Sequence, residues 1–282
     1  MSRIVRFMLS FVLFLGSIGW IASREAHAAD YVVAPQIATG YYHTLALHTD
    51  GTVYSWGQNT KGQLGNGSTA GRMAPILVSG LSRVKMVATG IRSSYAVKDD
   101  GTLWAWGMNE NGQLGDGTTE NRLLPVQITG IEGSITALSS GVAYHMLALT
   151  DRGEVWAWGL NTSGELGLGS GDPSSQKNVP VKVPGLTDVV AVAAGGWHSL
   201  ALKSDGTVWA WGNNEFGSLG DGTLANSDVP KEVDIDSVVA ISAGNSHSLA
   251  VKADGTVWSW GLNTWGMLGD GTGHDRHEPV QV

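Results

Sequence analysis

The chain has 282 residues, 40 of them glycine and 8 proline, with 42% hydrophobic and 15% charged residues; glycine is near twice its usual share without collagen's proline and triplet period, and the apolar content suffices for a buried core. A net charge of −8 without a basic run disfavours non-specific nucleic-acid binding, and the absence of cysteine excludes a disulfide framework, a thiolate metal site and a cysteine nucleophile. In chain order, Arg3 and Arg6 precede a 16-residue apolar stretch from Phe7 to Ala22, and Ala26-His27-Ala28 has the form of a cleavage site. Residues 1–28 thus read as a secretory signal peptide, the apolar stretch falling short of the roughly 20 residues that span a bilayer. The expected mature chain is 29–282, without a membrane span, outside the cell or in its envelope.

The remainder is one unit written five times. Trp-Gly recurs at Trp56, Trp106, Trp158, Trp211 and Trp260, 49 to 53 residues apart. In the fourth copy the runs VVAVA (189–193), HSLALK (198–203) and TVWAW (207–211) are too short for ordinary helices and rich in β-branched and aromatic residues. Asp205-Gly206 between the last two is a hairpin-turn signal, repeated at Asp50-Gly51, Asp100-Gly101 and Asp254-Gly255. A fourth strand follows Pro75, Pro125, Pro180, Pro230 and Pro279, and proline suits an edge strand. Each unit is therefore a four-stranded antiparallel meander. Alternation puts Trp209 and Trp211 on one face and Val208 and Ala210 on the other. Sheets apolar on both sides must stack, which predicts an all-β fold, a β-propeller of five blades. The first copy reads as starting with its second strand and Pro279–Val282 as a first strand, so the ring is expected to close by the C-terminal strand pairing into the first blade.

The recurring pattern G-x-x-H-(S/T)-L-A-L-x-x-D-G-T-V-x-x-W-G-x-N-x-x-G-x-L-G-x-G, over about 36 to 282, resembles the regulator of chromosome condensation repeat family. The resemblance implies a β-propeller, usually seven-bladed, and by analogy guanine-nucleotide exchange and chromatin binding; the export signal and the acidity oppose both. Light-sensing relatives carry tryptophan before the histidine in several blades, where this chain has Tyr42, Arg92, Tyr144, Trp197 and Ser246. A secreted relative that inhibits β-lactamase is similar in its repeats and agrees with export, which implies an inhibitor-like role as one form of protein binding.

Recurrence at one repeat position makes His43, His145, His198 and His247 structural, each expected to make a hydrogen bond inside its own blade; the second copy has Ser93 there. Trp56, Trp106, Trp158, Trp211 and Trp260 are structural by the same reasoning. Asp116, Asp221 and Asp270 read as turn residues, since calcium needs several oxygens and each loop offers one carboxylate. His274-Asp275-Arg276-His277-Glu278 is the one dense polar run. No metal, cofactor or catalytic set is expected.

Positions that vary between copies are free to bind. Two sets vary most, the residues before the histidine and those after W-G-x-N, and they gather Tyr41, Tyr42, Arg92, Tyr144, Trp197, Phe216 and Trp265 on one face, through connections assigned as the second-to-third-strand loop and the blade-to-blade loop. Aromatic residues with an arginine are what protein-binding hot spots favour. The expected function is a secreted, non-enzymatic protein-binding propeller; alternatives are a carbohydrate-binding propeller and a hydrolase with an unrecognised site.

Overall fold

The computed structural model describes residues 31–141, 144–169 and 176–282; the expected signal peptide, 1–28, lies outside them. Five four-stranded antiparallel sheets follow one another. The first comprises β1 (Gln36–Thr39), β2 (His43–Leu47), β3 (Val53–Gly57) and β4 (Arg72–Leu77), and the second β5 (Val84–Thr89), β6 (Ser93–Lys98), β7 (Leu103–Gly107) and β8 (Arg122–Ile128). The third comprises β9 (Ile135–Ser140), β10 (His145–Thr150), β11 (Val155–Gly159) and β12 (Lys177–Lys182). The fourth holds β13 (Val189–Ala194), β14 (His198–Lys203), β15 (Val208–Gly212) and β16 (Ser227–Val233), and the fifth β17 (Val238–Ala243), β18 (His247–Lys252), β19 (Val257–Gly261) and β20 (Arg276–Gln281). All are meanders, with the proline-bearing strand at an outer edge where its missing N–H costs no ladder bond.

The strand exchange does not form. β20 pairs with β19 of its own sheet, Trp258 opposite Gln281, and β1 supplies the first blade's own first strand. The reason is local: β1 is only four residues long, yet Gln36 opposite Leu47 through Thr39 opposite Thr44 fills the edge that the exchange would have used. Every blade is thus complete in itself, and the described residues form an arc of five.

The core lies between blades, as the alternation predicts. Trp211, with Trp209 beside it, packs onto Leu147, Leu149, Val155 and Ala157 of the third blade. From the other face of the same strand, Val208 and Ala210 pack under Trp260 of the fifth. A bulky face therefore meets the small, branched face of the preceding blade at each junction, which is how twisted sheets fill the wedge between them.

Trp106, Trp158, Trp211 and Trp260 are wholly buried, and each indole donates to a carbonyl of the blade before it, Gln63, Gln113, Glu165 and Ser218 respectively, at 2.8–2.9 Å. The glycine of the Leu-Gly pair permits this. Gly65 has a φ of +67°, and a Cβ there would stand 2.8 Å from Trp106 Nε1.

The histidines join blades, which corrects the expectation of a bond within one. His43 Nε2 lies 2.9 Å from Ser94 Oγ, His145 Nε2 3.0 Å from Ser199 Oγ and His198 Nε2 2.9 Å from Ser248 Oγ. Each serine in turn donates to the carbonyl that holds the tryptophan, at 2.8 Å. Since the serine proton is spent on that carbonyl, the imidazole must donate from Nε2. That leaves Nδ1 deprotonated, buried and without a partner in all three rings. The second junction is the exception and compensates for itself: Ser93 replaces histidine where the third blade has Met146 in place of serine, and Tyr95 Oη donates instead to Gln113 O at 2.8 Å. Gly40 of the G-x-x-H motif is needed because a Cβ would fall 2.4 Å from His43 Cε1.

Candidate protein-interaction face

In a meander the first-to-second and third-to-fourth connections share one end, and the backbone confirms it in every blade. Gln58 N donates to Tyr42 O, Met108 N to Arg92 O, Leu160 N to Tyr144 O, Asn213 N to Trp197 O and Leu262 N to Ser246 O, at 2.8–3.1 Å. Both variable sets therefore lie on one face; with the proline-bearing strand last in each blade instead of first, the loops assigned from sequence as second-to-third-strand and blade-to-blade are the first-to-second and third-to-fourth connections.

The third-to-fourth connections are held from inside by a side chain whose role the pattern did not disclose. Asn59, Asn109, Asn161, Asn214 and Asn263, the asparagines of W-G-x-N, are buried. Asn109 Oδ1 accepts from Leu114 N at 2.9 Å while Nδ2 donates to Asp116 Oδ1 and Thr118 O, both at 3.0 Å. Asp116 also accepts from Thr118 N and from Arg122 Nε at 2.6 Å, and the repeat of this set at Asp270 holds its carboxyl far below the usual range, chiefly through Thr272. The lone pairs that calcium would need are thus committed to turn-holding bonds. The polar run 274–278 is dispersed in the same way: Asp275 caps Asn263 N, Arg276 pairs with Asp270, and His277 covers Gly217.

On this rigid frame Tyr41, Tyr42, Trp197 and Trp265 are exposed, Tyr41 at 65% and Trp265 at 86%; Arg92, Tyr144 and Phe216 are half-buried. Three of the seven form a cluster. Tyr41 and Tyr42 meet edge to face with ring centroids 4.5 Å apart, and the Arg92 guanidinium sits 6.0 Å from the Tyr42 ring centre. Lys61 and Glu110 form an ion pair across the same junction of first and second blades. Beside the cluster a hollow of about 200 Å³ is lined by Thr39, Gly40, Tyr41, Thr89, Gly90, Ile91, Ser140 and Gly141. Its lining comes from three blades, at the ends of β1, β5 and β9 and the turns that follow them.

The other four residues do not join this cluster. Trp197, Phe216 and Trp265 stand on the fourth and fifth blades. Tyr144 stands on the third with a φ of +74°, because Gly141 comes one position early and lengthens that turn. A larger hollow of about 430 Å³ opens at the opposite end between fourth and fifth blades, where its one lysine is engaged: Lys252 lies 2.7 Å from Asp236 and 5.3 Å from the centre of the Trp258 ring. Glu165 was not anticipated either. Its carboxyl, buried where the first two blades have Gln63 and Gln113, accepts from Ser163 N at 2.8 Å and Thr162 Oγ1 at 3.1 Å, and burial pushes its pKa up.

The repeat described as "Regulator of chromosome condensation (RCC1) repeat" matches at residues 50–97, 100–149, 152–202, 205–251 and 254–282, and a second description of the same repeat matches five further-offset segments from 36 to 266. The chain belongs to the regulator of chromosome condensation repeat family. Among family members, human E3 ubiquitin-protein ligase HERC2 is 36% identical over 195 residues, 69% of this chain and 3% of the ligase. Ultraviolet-B receptor UVR8 of Arabidopsis thaliana is 36% identical over 217 residues, 76% of this chain and 49% of the receptor. The solved structure of human WBSCR16 superposes with a TM-score of 0.76 at 27% identity, covering 88% of this chain and 66% of that one. The chain thus spans about half the receptor's length and a small part of the ligase's. Its fold is that of an RCC1-type propeller, an architecture that serves in general as a scaffold for protein interaction.

Proposed function

We propose that the protein is a secreted, non-enzymatic scaffold that binds a protein partner through the face bearing Tyr41, Tyr42, Arg92, Tyr144, Trp197, Phe216 and Trp265. The observation that carries this reading is the Tyr41–Tyr42–Arg92 cluster beside a hollow lined from three blades. Two large rings with few rotatable bonds and a guanidinium already stacked lose little freedom on binding, and the hollow can take one inserted side chain. The Tyr42 and Arg92 carbonyls are tied to Gln58 N and Met108 N at the start of the neighbouring third-to-fourth connections, which buried Asn59 and Asn109 hold, so the surface is preorganised. The first thirty residues support an exported protein through the charge, apolar stretch and cleavage pattern given above. An inhibitor-like role is one form such binding takes.

The test is capture from the native secretome with the wild-type chain and with Tyr41→Ala/Tyr42→Ala/Trp265→Ala as baits. A protein retained by the first and lost by the second is expected. Captures indifferent to the triple substitution, or saturable glycan binding lost on Trp197→Ala, would overturn the reading in favour of another surface or of sugar recognition.

A further inference from the structure

Of the six arginines in the described residues, four hold a carboxylate: Arg83 that of Asp99, Arg122 that of Asp116, Arg152 that of Glu132 and Arg276 that of Asp270, at 2.5–3.8 Å. Arg72 has none because Asn66 stands where the second and fifth blades have Asp116 and Asp270, and its exposed side chain is left to water. Arg92 is different. It is half-buried on the interaction face, yet no donor of its guanidinium has a hydrogen-bond or ion-pair partner among the described residues. Its Nε is sealed from solvent, whereas Nη1 and Nη2, equally unpaired, remain open to it.

The surroundings hold this guanidinium without neutralising it. It lies over the Tyr42 ring, and the Arg92 carbonyl accepts from Met108 N at 2.8 Å, so both the side chain and the turn beneath it have a fixed place. Glu110 is close enough to feel the charge of Arg92, but Lys61 of the first blade has taken it and is the main cause of its lowered carboxyl pKa. The other copies have Tyr42, Tyr144, Trp197 and Ser246 at this position, so folding of the repeat does not require a cation there. An arginine that the fold does not need, and that the fold leaves unpaired at a partly desolvated site, is poised for an anion from outside.

A planar fork of N–H donors resting on an aromatic ring accepts a carboxylate through two parallel hydrogen bonds, which an ammonium cannot do. The net charge of −8 limits how acidic the bound segment can be: a run of carboxylates would be repelled at a distance and would meet a single unpaired guanidinium on contact. We propose that Arg92 is the specificity-determining residue of the interaction face and receives one aspartate or glutamate side chain of the partner, whose uncharged neighbour enters the hollow lined by Tyr41 and Ile91. This rests on the reading of that face as protein-binding and adds the chemistry by which it selects.

The probe is a phage-displayed library of random heptapeptides, joined to the coat protein at their C-termini so that the peptide presents side-chain carboxylates alone. It is panned on the wild-type chain, and recovered peptides are remade with both ends blocked and titrated by calorimetry. They are expected to share one aspartate or glutamate, whose replacement by the amide weakens binding about tenfold or more. Arg92→Lys, which keeps the charge and loses the fork, is expected to weaken the parent peptide to a similar extent, to add little to the loss in the amide peptide, and to unfold in urea like the wild type. Peptides that are lost on Tyr41→Ala but lack a carboxylate, or that bind Arg92→Lys as well as wild type, overturn the proposal and leave the protein-binding face standing. Displacement of the peptide by inorganic phosphate at lower concentration than by acetate overturns it in favour of a phosphate site. Recovery of no peptide, or of peptides indifferent to both substitutions, overturns the proposal and the reading of the face together.

Discussion

Acid should unfold this protein through three histidines well before its carboxylates titrate. Burial lowers the imidazole pKa to about 4 in His43 and His145 and to about 3 in His198, where the neighbouring His145 and His247 add to the effect. The geometry supplies the reason: Nε2–H is used on a serine, and protonation would place a second N–H on a buried Nδ1 with no acceptor. Because the folded values lie below that of the unfolded chain, about 6.5, the contribution is fully present above pH 6.5 and is lost as pH falls towards 4. Between pH 7.5 and 5 each histidine costs about 2 kcal/mol, about 6 kcal/mol for the three, a large part of the 5–15 kcal/mol typical of a folded domain. Urea unfolding followed by circular dichroism at the two pH values measures this directly. His198→Asn is expected to lose stability at pH 7.5 through the broken bond to Ser248, and to show about two-thirds of the wild-type pH dependence. Stability indifferent to pH over this range, or His43, His145 and His198 resonances titrating near 6.5 in the folded protein, would refute the buried relay.

Three further expectations rest on the blade junctions. Trp211→Ala, which removes a fully buried ring, should cost about 3–5 kcal/mol in urea unfolding, and Trp56→Ala, at the open end, clearly less. Gly65→Ala should cost more than Gly80→Ala, because both have a left-handed φ but only Gly65 faces an indole, 2.8 Å from the added Cβ; Gly80 faces nothing within 4 Å, so its substitution costs about 1 kcal/mol of backbone strain alone. Glu165→Gln should be more favourable at pH 7.5 than near pH 4, a pH dependence that urea unfolding of both proteins reads directly. Burial raises the Glu165 pKa, so the glutamate's penalty appears as pH rises and vanishes once the carboxyl is protonated.

The strands were legible because their signals are local and repeated. Asp-Gly turns, the 2-residue alternation of TVWAW and the proline-bearing fourth strand each survive in several copies, so an irregular one such as Arg152-Gly153 does not obscure the pattern. What the sequence could not show was which strand partners which across a junction. His43 and Ser94 are 51 residues apart, and nothing in either copy alone says that the bond leaves the blade. The clue was present in the exception: the second copy lacks histidine and the third lacks the serine that would receive it, a paired loss that only an inter-blade bond explains. Ring closure was misjudged for the opposite reason. Pro279-Val280-Gln281-Val282 and Gln36–Thr39 are both short segments able to pair, and the choice between them depends on adjacency within one blade rather than composition. On the candidate face, alternation and copy-to-copy variation grouped the residues on one end, whereas the stacking of Tyr41, Tyr42 and Arg92 is a matter of loop geometry that no repeat position encodes.

The most direct test of the proposed interaction face is photo-cross-linking from a benzoyl-phenylalanine placed at Tyr41, compared with one at Val229 on an outer strand, both exposed in the free protein. The account predicts a discrete cross-linked protein from position 41, suppressed by Trp265→Ala or Arg92→Ala, and none from position 229. Equal cross-linking from both positions, or a product from 229 alone, would contradict it.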